Sequence, residues 1–179
     1  MATTPPTFSA SAVLAAADLN LLRDGILELQ ALTAGYTVTG VQLVRSANQS
    51  LSDSTATEIS WGADDFQFGS WWTSGTDITV PSSAIPATFT TIVLLVTARV
   101  KFAADTTGTR FIDLLLDGGT FAQRRFAALG GGNATDVMCT AFVEAAAAQV
   151  ITLEATQDSG GALNASQCNI TVMRYAPAS

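Results

Sequence analysis

Two carboxylate groupings are the only residues of this 179-residue chain whose spacing suggests acid–base or cation chemistry: Asp64-Asp65, and Asp113 with Asp117. Paired carboxylates can hydrolyse a glycoside or hold calcium through oxygen ligands. Neither grouping lies in a D-x-D-x-D-G loop, and on a strand positions 113 and 117 share a face, so both read as solvated faces. Arg124-Arg125 reads either as their neutraliser or as half of an ion pair between subunits. The chain has no His. That removes the commonest general base, every Ser-His-Asp or Cys-His arrangement, and most zinc and iron sites. No phosphate-binding loop occurs, and Gly130-Gly131-Gly132, without a following Lys and helix, reads as a hairpin tip. The sequence thus names no catalytic residue, no metal site and no cofactor, and the chain reads as a non-enzyme.

Cys139 and Cys168 form no C-x-x-C pattern and read as a reduced, buried pair in preference to a disulfide. Asn48, Asn133, Asn164 and Asn169 each begin an N-x-[ST] sequon, which without a signal peptide is a by-product of turns rich in Asn, Ser and Thr. Trp61, Trp71 and Trp72, with Phe66 and Phe68, cluster in "WGADDFQFGSWW". The cluster reads first as a core plug under a long loop. A subunit surface, or a platform on which a sugar stacks, is the alternative for the three tryptophans.

The elements that must position these groups follow from the bulk numbers and the periodicity. Hydrophobic residues make up 48% of the chain and charged residues 13%, against roughly 25% charged in an average soluble domain. A surface so short of charge reads as one that buries apolar area against partners. A net charge of −7 argues against nucleic acid and anionic membrane as ligands. The most apolar run, Ile92 to Val96, is too short to insert in a bilayer, and "ATTPPTFSA" lacks a signal-peptide pattern. Synthesis in a cytoplasm is the expectation.

Thr3 to Ser11 forms a Pro/Thr/Ser arm in which Phe8 is the one large apolar peg. From Leu14 to about Leu32 the pattern is helical, and Leu19, Leu22, Ile26 and Leu29 follow 3-4-3 spacing. Two heptads cannot hold an isolated coiled coil. The stripe therefore packs on its own domain or, the preferred reading, serves self-association or docking. Residues 1–34 are taken as this arm and anchoring helix, and 35–179 as a β domain.

Beyond Gly35 apolar and polar residues alternate. "GVQLVRSA", "TEISW" and "TDITV" read as strands, and Thr91 to Phe102 is the clearest, with Ile92, Leu94, Val96, Ala98, Val100 and Phe102 on one face. "TGTRFIDLLLDGG" is a strand ending in a hairpin turn at Asp117-Gly118-Gly119. Thr135 to Val143, Gln149 to Gln157 and Gln167 to Tyr175 complete eight to ten strands of an antiparallel sandwich or jelly roll.

Pro6-Thr7-Phe8 followed by "SAVLAAADLNLLRDGI" resembles the short segment that opens many bacteriophage tail and fibre proteins. Ala15 stands where Thr is usual, so an N-cap hydroxyl is missing. The stretches "SANQSLSDSTATEISW", "TDITVP", "VTARVKFAADTTGTRFIDLLLDGG" and "ITLEATQDSGGALNASQCNITVMRY" resemble head domains of phages, especially those of actinobacteria, and are similar to complement-head/TNF-like trimeric jelly rolls. The resemblance implies an all-β, TNF-like head and a homotrimer in a virion. The chain would be a tail or baseplate fibre, a surface knob, or a capsid decoration or head-fibre protein. Its partners would be itself, other virion structural proteins and a host cell-surface glycan.

Overall fold

The structure, a computed structural model, describes residues 39–177. The expected helix over 14–32, with Phe8, Leu19, Leu22, Ile26 and Leu29, lies outside those residues, as does the 1–34 arm. Among the described residues eleven strands follow in order: β1 (Gly40–Arg45), β2 (Gln49–Leu51), β3 (Thr57–Glu58), β4 (Ala63–Phe68), β5 (Ile78–Thr79), β6 (Thr91–Phe102), β7 (Thr109–Leu116), β8 (Gly119–Ala127), β9 (Thr135–Ala146), β10 (Val150–Gln157) and β11 (Leu163–Pro177). They form two antiparallel sheets packed as a sandwich. The larger has the order β4-β1-β11-β6-β9, with β2 also on β11. The smaller has the order β3-β10-β7-β8, with β5 also on β10. Neighbours in these sheets are mostly distant in sequence, as long-range Greek-key connections require.

β6 spans the residues expected of it, and its burial alternates at every position. Ile92, Leu94, Val96, Ala98, Val100 and Phe102 are all at 0% exposure. They face Ile112 and Leu114 of β7 and Ile151, Leu153 and Ala155 of β10, which are equally buried in the same core. Each large aliphatic side chain so buried contributes about 1.5–3 kcal/mol. Because β6 lies between β11 and β9, both of its edges are paired over most of its length. No slip of its register is available without turning six core side chains to water.

The hairpin joining β7 to β8 turns at Asp117 (φ 49°) and Gly118 (φ 77°). Two successive positive φ values make it a type I′ turn, whose twist matches that of the flanking strands. Asp117 therefore belongs to the turn and not to the face it was expected to share with Asp113. The three glycines 130–132 also differ from expectation. They link β8 of the smaller sheet to β9 of the larger, and so form a crossing between layers and not a hairpin tip.

The strands missed in the sequence, β4 and β8, are the outermost strands of their sheets' strand orders, while β2 is a three-residue piece. Edge strands tolerate charge and lose clean alternation. "ADDFQF" and "GTFAQRRFA" carry their charges for that reason. β11 begins at Leu163, four residues before the expected start. A bulge between Ser166 and Asn169 breaks its pairing with β6, and Gln167 sits there at φ 47°.

Leu94→Asp should abolish folding, since an unpaired carboxylate buried in this core costs several kcal/mol, comparable to a domain's whole stability of about 5–15 kcal/mol. Thr97 lies on the opposite face of β6, half-exposed and bonded to Thr140 at 3.2 Å. Thr97→Asp should retain the β circular dichroism signal and lose only a few degrees in a thermal melt. Equal tolerance of the two substitutions would contradict the face assignment.

Candidate functional site

Among the described residues most of the exposed large hydrophobic side chains lie on the larger sheet. Alternation that sends the even-numbered residues of β6 inward sends Val93 and Leu95 outward, and both remain half-buried. Leu95 is registered against Phe142 of β9 and Met173 of β11. Phe142 is 57% exposed, Met138 56% and Tyr175 68%. The Phe142 and Tyr175 rings meet edge-on, with centroids 4.9 Å apart. A further aromatic pair, Phe66 and Phe68, lies at the β4 end with centroids 5.8 Å apart. Bulky apolar side chains grouped on one exposed sheet face mark a surface that buries itself against something.

Toward the other end of β6 the same face becomes polar. Arg99 Nε and Nη2 donate to Asp136 at 3.2 and 3.0 Å, and this pairing raises the Arg99 pKa through the hydrogen bond and the charge of Asp136. Lys101 donates to Gln167 at the β11 bulge, at 3.3 Å. Exposed pairs of this kind contribute about 0–1 kcal/mol and serve register more than stability.

The tryptophans divide. Trp71 is at 0% exposure and Trp61 at 5%, so both belong to the core. Their removal from the candidate surface aromatics is compatible with their polar handles, because each indole N–H finds a partner beside the core. Trp71 Nε1 donates to Thr39 Oγ1 at 3.1 Å and to the Phe68 carbonyl at 3.0 Å, and Trp61 Nε1 donates to the Thr76 carbonyl at 3.2 Å. A satisfied indole N–H permits such burial. Trp72 is only half-buried. It borders an open hollow of about 290 Å³ that Thr73, Ser74, Asp77 and Thr79 also line. Gln67 Oε1 fixes the loop by accepting the backbone N–H groups of Trp71 and Trp72, at 3.1 and 2.7 Å.

The two carboxylate groupings picked out in the sequence are not brought together. Asp64 and Asp65 are exposed on β4. Asp113 is not on a solvated face: it is 8% exposed and accepts a bond from Gln123 at 2.6 Å. Asp117 instead accepts from the Val150 backbone N–H and from Gln149, each at 2.8 Å. Those two bonds hold its carboxyl below the ordinary range. Sequence reading missed a row across three strands, Glu58, Glu154 and Asp113, in direct register. Partial burial, then the charges of Glu58 and Asp113, push the Glu154 carboxyl up. Register between distant strands was the missing information.

A second acidic set ties the loops at one end of the sandwich. Asp105 accepts the Thr107 N–H and hydroxyl at 2.8 and 2.7 Å, Asp158 accepts the Thr109 N–H and hydroxyl, and Asp53 accepts the Gly160 N–H at 2.8 Å. Gly108 (φ +73°) must be glycine, because a Cβ there would collide with Asp158. Hydrogen bonds from Thr107 and Thr109, respectively, hold the Asp105 and Asp158 carboxyls low, with a smaller contribution from Arg110. Arg110 is fully buried, donates to the Thr109 carbonyl at 2.9 Å and approaches Asp105 at 3.7 Å. Among the described residues no group of three or more His, Cys, Asp or Glu side chains is placed to hold a metal.

Cys139 and Cys168 are free and buried. Burial raises the first thiol and pushes the second up to about 11, so neither supplies a thiolate nucleophile.

The chain matches no protein-family model and no curated protein. Its fold does have counterparts among solved structures. Murine APRIL at pH 8.0 superposes with a TM-score of 0.58 at 16% identity, over 78% of this chain and all of that one. Murine APRIL at pH 8.5 gives 0.55 with the same identity and coverage. Eiger TNF from S. frugiperda gives 0.50 at 12% identity, over 79% of this chain and 96% of that one. The described domain is thus an all-β, antiparallel jelly roll of the TNF type. At these identities the likeness concerns the fold alone.

Two opposed pH effects follow. Asp105, Asp117 and Asp158 have folded pKa values below the ordinary 3.8, so their stabilisation is present above that value and is lost as pH falls through the lowered ones. Glu154 is raised above 4.5; it opposes folding at neutral pH, and the opposition is relieved as pH falls through its raised pKa. Glu154→Gln should therefore raise stability at pH 7 by about 0.5 kcal/mol, the scale of a cross-strand like-charge pair, and by less near pH 4. Thermal melts across pH 2–8 check both signs.

Proposed function

We propose that the chain is a structural protein of a phage virion. It forms a homotrimeric tail or baseplate fibre or a surface knob, anchored by residues 1–34 and presenting the β domain outward. The observation that carries the self-association is the outward apolar face of the larger sheet, on which exposed Met138, Phe142 and Tyr175 adjoin half-buried Leu95 and Met173. A cluster of that kind on a chain with only 13% charged residues is what a subunit contact requires. The TNF-like jelly roll agrees with it. The virion assignment is supported by the resemblance of "PTFSASAVLAAADLNLLRDGI" to phage tail and fibre openings and of "QDSGGALN" to phage head domains. Capsid decoration is the variant reading of the same chemistry. In either case the role is assembly without catalysis or cofactor, in particles built in the host cytoplasm.

Phe142→Asp with Tyr175→Asp should leave the circular dichroism unchanged and convert the oligomer to monomers in light scattering at micromolar concentration. A wild-type monomer, or a trimer indifferent to both changes, refutes the self-association. Deleting residues 1–34 should leave a chain that oligomerises but no longer enters particles, judged by mass spectrometry of purified virions. Normal incorporation of the deleted chain refutes the anchor.

A host glycan is a second ligand that one observation favours. The Trp72 hollow sets an aromatic ring beside the hydroxyls of Thr73, Ser74 and Thr79 and the carboxylate of Asp77, a combination that stacks and hydrogen-bonds a sugar. Trp72→Ala should remove binding on a glycan array of host envelope saccharides. Binding that survives it places the contact elsewhere.

A further inference from the structure

The two sheet edges carry opposite charge on opposite flanks. β4 closes one end of the larger sheet, and β9 closes the other. β8, the edge of the smaller sheet, lies beside β9 and thus on the flank away from β4. β4 presents Asp64 and Asp65 with Phe66 and Phe68, all outside the core. β8 presents Arg124, Arg125 and Phe126, all exposed. Among the described residues none of these four charges has an ion-pair partner. Arg124 lies over the Phe126 ring of its own strand at 5.3 Å and Arg125 over the Phe111 ring of β7, its cross-strand partner, at 4.8 Å, so Arg124 runs along β8 and Arg125 leans across it, neither within ion-pair distance of a carboxylate. On β8 successive residues point to opposite sides, so Arg124 and Arg125 straddle that strand, whereas on β4 a bulge opposite Gln42 and Leu43 leaves Asp65 outside the paired register, beside Asp64.

We propose that the β4 edge of one copy docks against the β8 edge of the next, with Asp64 and Asp65 facing Arg124 and Arg125 and the flanking phenylalanines closing the contact. The inference rests on the self-association proposed above and specifies its geometry. A two-fold contact would set four arginines, or four aspartates, against one another. Like charges disfavour it, while opposite charges favour the head-to-tail contact. Because the complementary edges occupy opposite flanks, each copy has one of each, and the contact repeats until a ring closes. The same charges protect each free edge from indiscriminate strand pairing with its own kind.

Asp64→Arg with Asp65→Arg, and separately Arg124→Asp with Arg125→Asp, should weaken trimer formation at least about tenfold. The quadruple variant, whose flanks are exchanged in charge, should recover it. Circular dichroism checks that each remains folded. Raising NaCl from low to high concentration should weaken the wild-type assembly, since exposed charges are screened. As a measurement independent of charge reversal, Asp65→Cys combined with Arg125→Cys should give disulfide-linked multimers under oxidation, and either change alone should not. A wild-type trimer that is unaffected by both charge reversals, or that the quadruple variant fails to restore, overturns the edge contact while leaving the apolar-face reading intact. A wild-type monomer overturns both.

Discussion

The alternation of β6 is the constraint on which the remainder of the structure depends. Six fully buried side chains from one twelve-residue strand hold the larger sheet against the smaller. Fixing β6 fixes its partners, since β11 pairs with it on one side and β9 on the other. β11 in turn sets the register of β1, from Gly40 against Met173 to Arg45 against Cys168. Gly40 allows this approach because a Cβ there would strike the Val172 carbonyl. The alternate residues of the same strands have no such freedom: once Leu94 and Val96 face inward, Val93 and Leu95 must face outward. The exposed apolar face is therefore geometrically inseparable from the core. Its chemistry is not so determined, as the polar half at Thr97, Arg99 and Lys101 makes plain.

Short-range polar bonds do what the strands cannot. Loops joining two sheets leave backbone N–H groups without ladder partners, and a buried unpaired donor is costly. Here carboxylates supply many of the acceptors. Asp105, Asp117 and Asp158 each accept two bonds from nearby backbone and side-chain donors, and Gln67 serves the Trp71–Trp72 loop in the same way. Much of the acidic excess of the chain is thus structural. Carboxylates occupied in this way lie far from one another or accept bonds in fixed geometry, which suits turns and does not suit proton transfer.

Legibility in the sequence follows the range of the interaction concerned. β6, the Asp117-Gly118 hairpin and the all-β class are visible because they rest on local alternation and local turn chemistry. Edge strands β4 and β8 escaped because one side of an edge strand faces water and their charges interrupt the period. The pairing of Glu58, Glu154 and Asp113 was invisible because it arises from register between strands up to about a hundred positions apart. The tryptophan cluster shows an intermediate case. Its composition suggests both plug and platform, and it is depth of burial that separates Trp61 and Trp71 from Trp72, whose indole N–H also finds a carbonyl, that of Gly75. Arg110 gave no signal at all, since a lone arginine in an apolar strand looks like a solvated residue until Asp105 and the Thr109 carbonyl are found beside it.

The distribution of charge is the last link between fold and assembly. A chain with 13% charged residues has few with which to mark a surface, so where they stand is informative. Several carboxylates are spent in turns, and Arg99 with Asp136 neutralise each other on the outward face. Among the charges without an ion-pair partner, Asp64 and Asp65 stand on the β4 edge and Arg124 and Arg125 on the β8 edge. The apolar face between Phe142 and Tyr175 supplies area without direction, because hydrophobic contact is non-directional. Charges at opposite flanks supply direction without much area, since exposed ion pairs contribute little alone. The two features are complementary in this physical sense. In the assembly proposed above, area would make association favourable, and the sign of the edges would decide which of the geometrically available contacts a second copy adopts.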